Sequence, residues 1–382
     1  MMIRFSAKLA ILAAMLLGLP MLGVWGAGIP VDRYLRFPPE ARYVDHAPFS
    51  WTAFFIYTAV IATAAVPLIA RAVQAGRRSG ILPKVSGRFP WWGWAGVVSG
   101  ILCWLLAWSR FSWFAPLQPH TFTPLWLSFI VVVNALDRKV SGTCLMTARP
   151  VFFVVLFPAS AGFWWFFEYL NRFVQNWFYS GSQYGPWPYF LLASMSFSTV
   201  LPAVLSTRRL LCRLLPFDAG FERFVTVDPG RPKRAAAAVL LMAGAGLLLI
   251  GVYPNLLFPL LWISPLLIVV SLRTLGGERH VLSEAAAGDW RPAATAAVAA
   301  LVCGVFWELW NVYSLAKWTY AVPYVHRFEV FEMPILGYAG YLPFGLECAM
   351  AGRLVEDALA VFGRGRPPSF ANLARFLSTL RP

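Results

Sequence analysis

Apolar residues run along the 382-residue chain in ten stretches that carry few charges, at 8–28, 50–71, 90–114, 122–137, 151–170, 187–206, 235–253, 255–272, 293–312 and 332–353. Crossing about 30 Å of hydrocarbon takes about 20 helical residues. The pattern therefore predicts an all-α integral membrane protein of about ten transmembrane helices, the fourth and eighth being the shortest. Composition agrees, since a chain 59% hydrophobic and 13% charged has too little polar surface for a soluble globule of this size.

The polar positions also repeat. Phe167-Glu168-Tyr169-Leu170-Asn171, followed by Trp177 and Tyr179, returns as Trp307-Glu308-Leu309-Trp310-Asn311, followed by Trp318 and Tyr320. The offsets are 308−168 = 140, 311−171 = 140, 318−177 = 141 and 320−179 = 141, and Leu201-Pro202 recurs as Leu342-Pro343 at 141. Upstream, Phe122 and Trp126-Leu127-Ser128 match Phe258 and Trp262-Ile263-Ser264 at 136. This predicts a tandem duplication of a four-helix unit, repeat A at 89–213 and repeat B at 234–356. Two leading helices at 1–88 precede the repeats, a basic cytoplasmic linker at 214–233 joins them, and a cytoplasmic tail follows at 357–382. Four helices per copy is an even number, so both copies enter the bilayer in the same direction, a parallel arrangement about an axis along the membrane normal. In the tail, Ser369 is placed to cap a short helix with Phe370, Leu373, Phe376, Leu377 and Leu380 on one side, as suits a segment lying on the inner membrane surface.

Charge settles the orientation. The net charge of +15 is concentrated in alternate loops, with Arg71, Arg77, Arg78, Lys84 and Arg88 in one and Arg208, Arg209, Arg213, Arg223, Arg231, Lys233 and Arg234 in another. By the positive-inside bias both termini are expected to be cytoplasmic, in the cell (inner) membrane. The basic excess is read as topology, and no nucleic-acid partner is expected. Arg4 and Lys8 precede the first apolar stretch, but Trp25-Gly26-Ala27 makes a poor cleavage site, so an uncleaved anchor is expected. Five scattered cysteines, and His46, His120 and His326 far apart in sequence, give no metal-ligand spacing. No cofactor motif is present, and the sequence leaves the oligomeric state open.

The candidate chemistry is acidic. Glu168 and Glu308 fall about one turn short of the outer interface, each with its asparagine, Asn171 or Asn311, on the same helix face. A glutamate within apolar sequence is a functional candidate by default, because it must be protonated, paired or wet. The two are expected to converge on a shared hollow near the outer face. Trp177, Tyr179, Trp318 and Tyr320 suit the same interface, and His326 and Glu332 join the outer cluster. Glu347, whose counterpart is Ser206, is expected deep on the helix that starts near Glu332, 15 residues away or about 22 Å along the axis. There Arg353, or another inner-loop arginine near the helix end, is its natural partner. The candidate acids are thus Glu308, Glu168, Glu347 and Glu332, and the candidate binding residues are Asn171, Asn311, Trp177, Tyr179, Trp318, Tyr320 and His326.

At Trp310-Asn311, Trp318-Thr319-Tyr320 and Leu342-Pro343-Phe344-Gly345-Leu346-Glu347 the layout resembles the integral-membrane lycopene (carotenoid) cyclases. That family has Asp where Asn311 stands, and an uninterrupted acidic pair where Phe344-Gly345 intervenes. The chain also resembles uncharacterised bacterial multi-pass membrane proteins that share the Trp-Glu-x-Trp-Asn and Phe-Glu-Met-Pro signatures, over about its last 50 residues. The cyclase resemblance implies an acid, Glu308 or Glu347, that protonates a polyene double bond while aromatic faces steady the carbocation. The expected function is therefore action on, or binding of, a membrane-dissolved isoprenoid or lipid. The alternatives are a proton-coupled transporter and a non-catalytic membrane assembly or scaffold protein.

Overall fold

The computed structural model describes residues 2–39, 46–79, 87–181, 184–214 and 220–362. The amphipathic tail segment at 369–380 lies outside the described residues.

Among the described residues, eight helices are long and apolar enough to cross a membrane: α1 (Ser6–Gly26), α2 (Trp51–Gly76), α3 (Trp91–Trp108), α4 (Gln118–Ser141), α5 (Pro150–Val174), α6 (Pro186–Arg213), α7 (Pro232–Leu249) and α9 (Arg291–Asn311). Between α7 and α9 runs a shorter apolar helix, α8 (Leu260–Leu275). The last described helix is α10 (Tyr341–Phe362). Proline marks many of the starts. Pro150, Pro186, Pro232 and Pro292 occupy the first or second helical position, where a missing N–H costs nothing.

The tenth apolar stretch was expected to be helical from 332, and here the structure differs. Glu329–Val330 and Met333–Pro334 form a small antiparallel ladder, Ile335–Gly340 a tight 3-10 turn, and the α-helix starts only at Tyr341. Pro334, Gly337 and Gly340 explain the delay, since each penalises continuous α-helix. Glu332 therefore lies in a turn and not on α10, so the 22 Å separation along one helix does not apply. Glu347 sits six residues into α10, about 9 Å from Tyr341 along the axis.

Helices α3 to α6 and α7 to α10 pack by matching contacts. Within the first set α3 meets α4, α4 meets α6 and α5 meets α6; within the second α7 meets α8, α8 meets α10 and α9 meets α10. Between the sets α6 packs on α9, α5 on α10 and α6 on α10. Small residues bring these helices close, as hydrocarbon surroundings demand. Ala293, Ala294, Ala296, Ala297, Ala299 and Ala300 are buried along α9. A Cβ on Gly345 of α10 would lie 2.1 Å from the Ala296 carbonyl oxygen. Gly23 of α1 is crossed as tightly by the Leu248 carbonyl of α7, whereas α2 lies at the periphery with its window unburied.

A two-stranded antiparallel sheet joins the two sets. Strand β1 (Trp177–Ser180) follows α5 and strand β2 (Lys317–Tyr320) follows α9. The register pairs Trp177 with Tyr320, Phe178 with Thr319, Tyr179 with Trp318 and Ser180 with Lys317. Strand residues alternate faces, so Trp177, Tyr179, Trp318 and Tyr320 share one face and Phe178 and Thr319 the other.

Directly paired strand residues have Cα atoms within disulfide range. Phe178→Cys combined with Thr319→Cys should therefore keep two fragments, cut at a protease site inserted at 215–219, joined on a non-reducing gel. Migration as separate fragments, as for either single variant, would contradict the register.

Candidate functional site

Each glutamate is met by side chains that a strand delivers, and each strand is held by an asparagine. Helix α5 ends at Val174, Gln175 takes a left-handed conformation (φ 53°), and the chain turns back over the helix end. There Asn171 accepts from the backbone N–H of Asn176 at 2.8 Å and donates to the Trp177 carbonyl at 2.7 Å. At the end of α9, Asn311 accepts from the Trp318 N–H at 2.9 Å and donates to the Trp318 carbonyl at 2.7 Å. Both amides are spent on backbone. A carboxylate has no donor for the carbonyl, which explains asparagine, where the cyclase pattern has Asp, at position 311.

So held, β1 places Trp177 and Tyr179 beside Glu168. A single oxygen, Glu168 Oε1, accepts from Trp177 Nε1 at 3.0 Å, Tyr179 Oη at 2.6 Å and Trp164 Nε1 at 3.0 Å. Glu308 is built differently. Its Oε1 accepts from Tyr320 Oη at 2.6 Å and Tyr341 Oη at 2.8 Å, while Trp318 Nε1 donates to the Tyr320 hydroxyl at 2.8 Å. Burial first, and then the neighbouring carboxylate, hold the Tyr179 and Tyr320 phenols well above their usual ionisation range. Both therefore remain O–H donors. Hydrogen bonds to an ionised acceptor contribute about 1.5–3 kcal/mol each, a supply suited to offsetting the several kcal/mol of burying a carboxylate.

Glu308 is fully buried, at 0% exposure, and its Oε2 has no hydrogen-bond partner among the described residues. Trp164 stands one turn before Glu168; the residue one turn before Glu308 is Gly304. A Cβ there would lie 2.4 Å from the Tyr341 ring, so the glycine makes room for a donor that arrives from α10.

Aromatic rings fill the interval between the carboxylates, where a shared hollow was expected. Trp164 lies 6.5 Å from Trp307, which stacks on Tyr341 at 5.9 Å, so rings run continuously from one carboxylate's donor to the other's. Around this path Trp126 contacts Trp307 at 4.8 Å, and Trp262 stacks between Phe167 at 5.2 Å and Trp177 at 5.6 Å. Phe344 lies 5.7 Å from Trp164 and 5.8 Å from Trp262. The two acids, both at the strand end of the bundle, are thus linked by a continuous run of aromatic rings.

The other candidates separate from this centre. Glu332 pairs with Lys317 at the start of β2. His326 meets Glu329 at 3.0 Å and the Val322 N–H at 3.4 Å. Glu347 is 4% exposed, and its carboxylate meets no side-chain donor among the described residues, the Leu266 backbone lying nearest. It makes no ion pair with Arg353 there. Where Asn134 of α4 donates to Ser206 of α6 at 2.9 Å, the corresponding stretch of α8 offers Glu347 no such amide. Trp164, Gly304 and Tyr341 escaped the sequence reading. Trp164 was findable, four residues before Glu168 and hence on its face, whereas Tyr341 acts across helices and left no local signal.

No protein-family model, curated protein or solved structure matches the chain.

Asn311→Asp keeps the acceptor for the Trp318 N–H but loses the donor for its carbonyl, and should cost about 1–3 kcal/mol. Faster amide exchange across 317–320 and a lowered melting temperature in detergent are expected. Exchange at the wild-type rate would mean that Asn311 does not hold the strand.

Proposed function

We propose that the chain is a multi-pass membrane protein whose Glu308 is the protonable group of a site that binds, or acts on, a membrane-dissolved isoprenoid or lipid. The observation that carries this reading is the unpartnered Oε2 of a fully buried Glu308. One oxygen is anchored by two phenols, which fixes the carboxyl's orientation, and the other is left for a proton or a reacting group. The surrounding Trp and Tyr faces offer an apolar polyene a complementary wall and an attraction for developing positive charge. Glu168, with three donors on one oxygen, has a framework role in this reading. Glu347 is its reserve acid, about 9 Å along α10 from Tyr341. The likeness to the lycopene cyclases agrees with such acid chemistry and suggests no particular substrate.

The architecture we propose is ten spans in the cell inner membrane, with two leading helices, tandem parallel copies α3–α6 and α7–α10, and both termini cytoplasmic. Three observations support duplication. The helix contacts within and between the two sets match. The β1–β2 register is self-symmetric: at an offset of 141, Trp177 corresponds to Trp318 and Tyr179 to Tyr320, and Trp177 pairs with Tyr320 as Tyr179 pairs with Trp318. The dyad of such a pair passes between Phe178 and Thr319 and stands normal to the sheet. Third, the copies trade one donor for another, with Trp164 and Val200 in the first answering to Gly304 (304−164 = 140) and Tyr341 (341−200 = 141) in the second. Loop parity of Lys and Arg supports the orientation.

A second reading, a non-catalytic assembly protein, is favoured by the aromatic rings that occupy the space between the carboxylates.

Lipid and pigment extracts of a deletion strain complemented with wild type, Glu308→Gln or Glu168→Gln distinguish the two. Glu308→Gln should insert normally yet leave the deletion profile unrestored, whereas Glu168→Gln should chiefly lower the yield of folded protein. Full restoration by Glu308→Gln would exclude the acid role. A deletion strain with an unaltered profile would favour the assembly reading.

A further inference from the structure

At the end of the bundle remote from the strands, a cavity of about 180 Å³ is lined by Arg208 of α6, by Arg279, His280, Val281 and Glu284 of the α8–α9 connection, by Pro292 of α9, and by Ala349, Met350 and Arg353 of α10. Its charges do not balance. Glu284 is taken by Arg279. Nearby Glu356 is taken by Arg149. Arg208 donates from Nη2 to the Pro292 carbonyl at 3.3 Å, while its buried Nε finds no acceptor among the described residues. Neither Arg208 nor Arg353 has an ion-pair partner among them. His280 is engaged through Thr274 at 2.9 Å and the Leu282 N–H at 3.3 Å. Burial first, and then Arg273 and Arg353, push the His280 imidazole below its usual range.

A guanidinium carries five N–H donors in a planar fork and is costly to bury unless acceptors meet them. We propose that this cavity is a binding site for a phosphate group, held by Arg208 and Arg353 with Arg279 at its rim. The volume is ample for a tetrahedral oxyanion. The site sits between helices at the face whose loops carry the basic residues, where anionic headgroups gather. The phosphate comes either from a phospholipid headgroup or from a free phosphate in solution, since the same fork recognises both.

The full-length protein in nanodiscs distinguishes these sources. Inorganic phosphate added in phosphatidylcholine nanodiscs, read by melting temperature, probes the free ion; native mass spectrometry after reconstitution with phosphatidic acid probes the headgroup. A response in either arm, weakened about tenfold or more by Arg208→Gln and by Arg353→Gln, is expected. Arg353 is exposed, so its variant should retain the ligand-free melting temperature and serves even where Arg208→Gln misfolds. Arg234→Gln, which removes a basic residue outside the cavity, should bind as wild type. Equal weakening by Arg234→Gln would reduce the effect to general surface charge and overturn the proposal, as would the absence of any response in both arms.

Discussion

A carboxyl group placed in an apolar helix bundle must be supplied with hydrogen-bond donors by its neighbours, because no water is there to do so. Much of the strand-bearing end of this molecule follows from that requirement. Glu168 and Glu308 each sit in the last turns of a helix, and in both places the chain reverses and returns a strand whose alternate residues reach the acid. The reversal is held by an asparagine three residues past the glutamate, which engages the returning backbone as another strand would. Glutamate, asparagine, tryptophan and tyrosine thus form one device, in which the first needs the last two and the second brings them into reach.

The two devices are joined by pairing β1 with β2, which also pairs the helix sets that carry them. Their differences are as informative as their likeness. At Glu168 the third donor comes from the same helix, Trp164, and one oxygen is saturated. At Glu308 that position is Gly304, the donor comes from Tyr341 on a different helix, and the second oxygen has no partner among the described residues. Glu308 therefore depends on how α9 and α10 sit against each other, whereas Glu168 is organised within its own helix and strand. An acid coupled to a helix contact responds to whatever moves that contact, which suits a working group better than a framework one.

At the opposite end the same physics applies with reversed sign. Arg208 is largely enclosed, and among the described residues its Nη2 meets the Pro292 carbonyl while its buried Nε meets no acceptor. Among the described residues the chain thus carries an unmet donor at Arg208 and an unmet acceptor at Glu308, with a core of close-packed Ala, Leu and aromatic side chains between them.

Apolar run length alone determined where most of the helices lie, because crossing hydrocarbon leaves a chain little choice but to satisfy its backbone within each segment. The repeated Glu, Asn, Trp and Tyr singled out one centre, since a recurring pattern of polar residues in apolar surroundings is readable without coordinates. The last helix starts at Tyr341, later than its apolar stretch. Hydropathy cannot distinguish an apolar turn at 332–340 from an apolar helix, and proline and glycine decided it. Only the tertiary structure showed that the asparagines bind backbone, that rings occupy the space between the acids, and that Tyr341 stands in for Trp164. Each of these depends on which side chains meet across helices, and separation in space between residues 30 to 200 positions apart leaves no periodic trace along the chain.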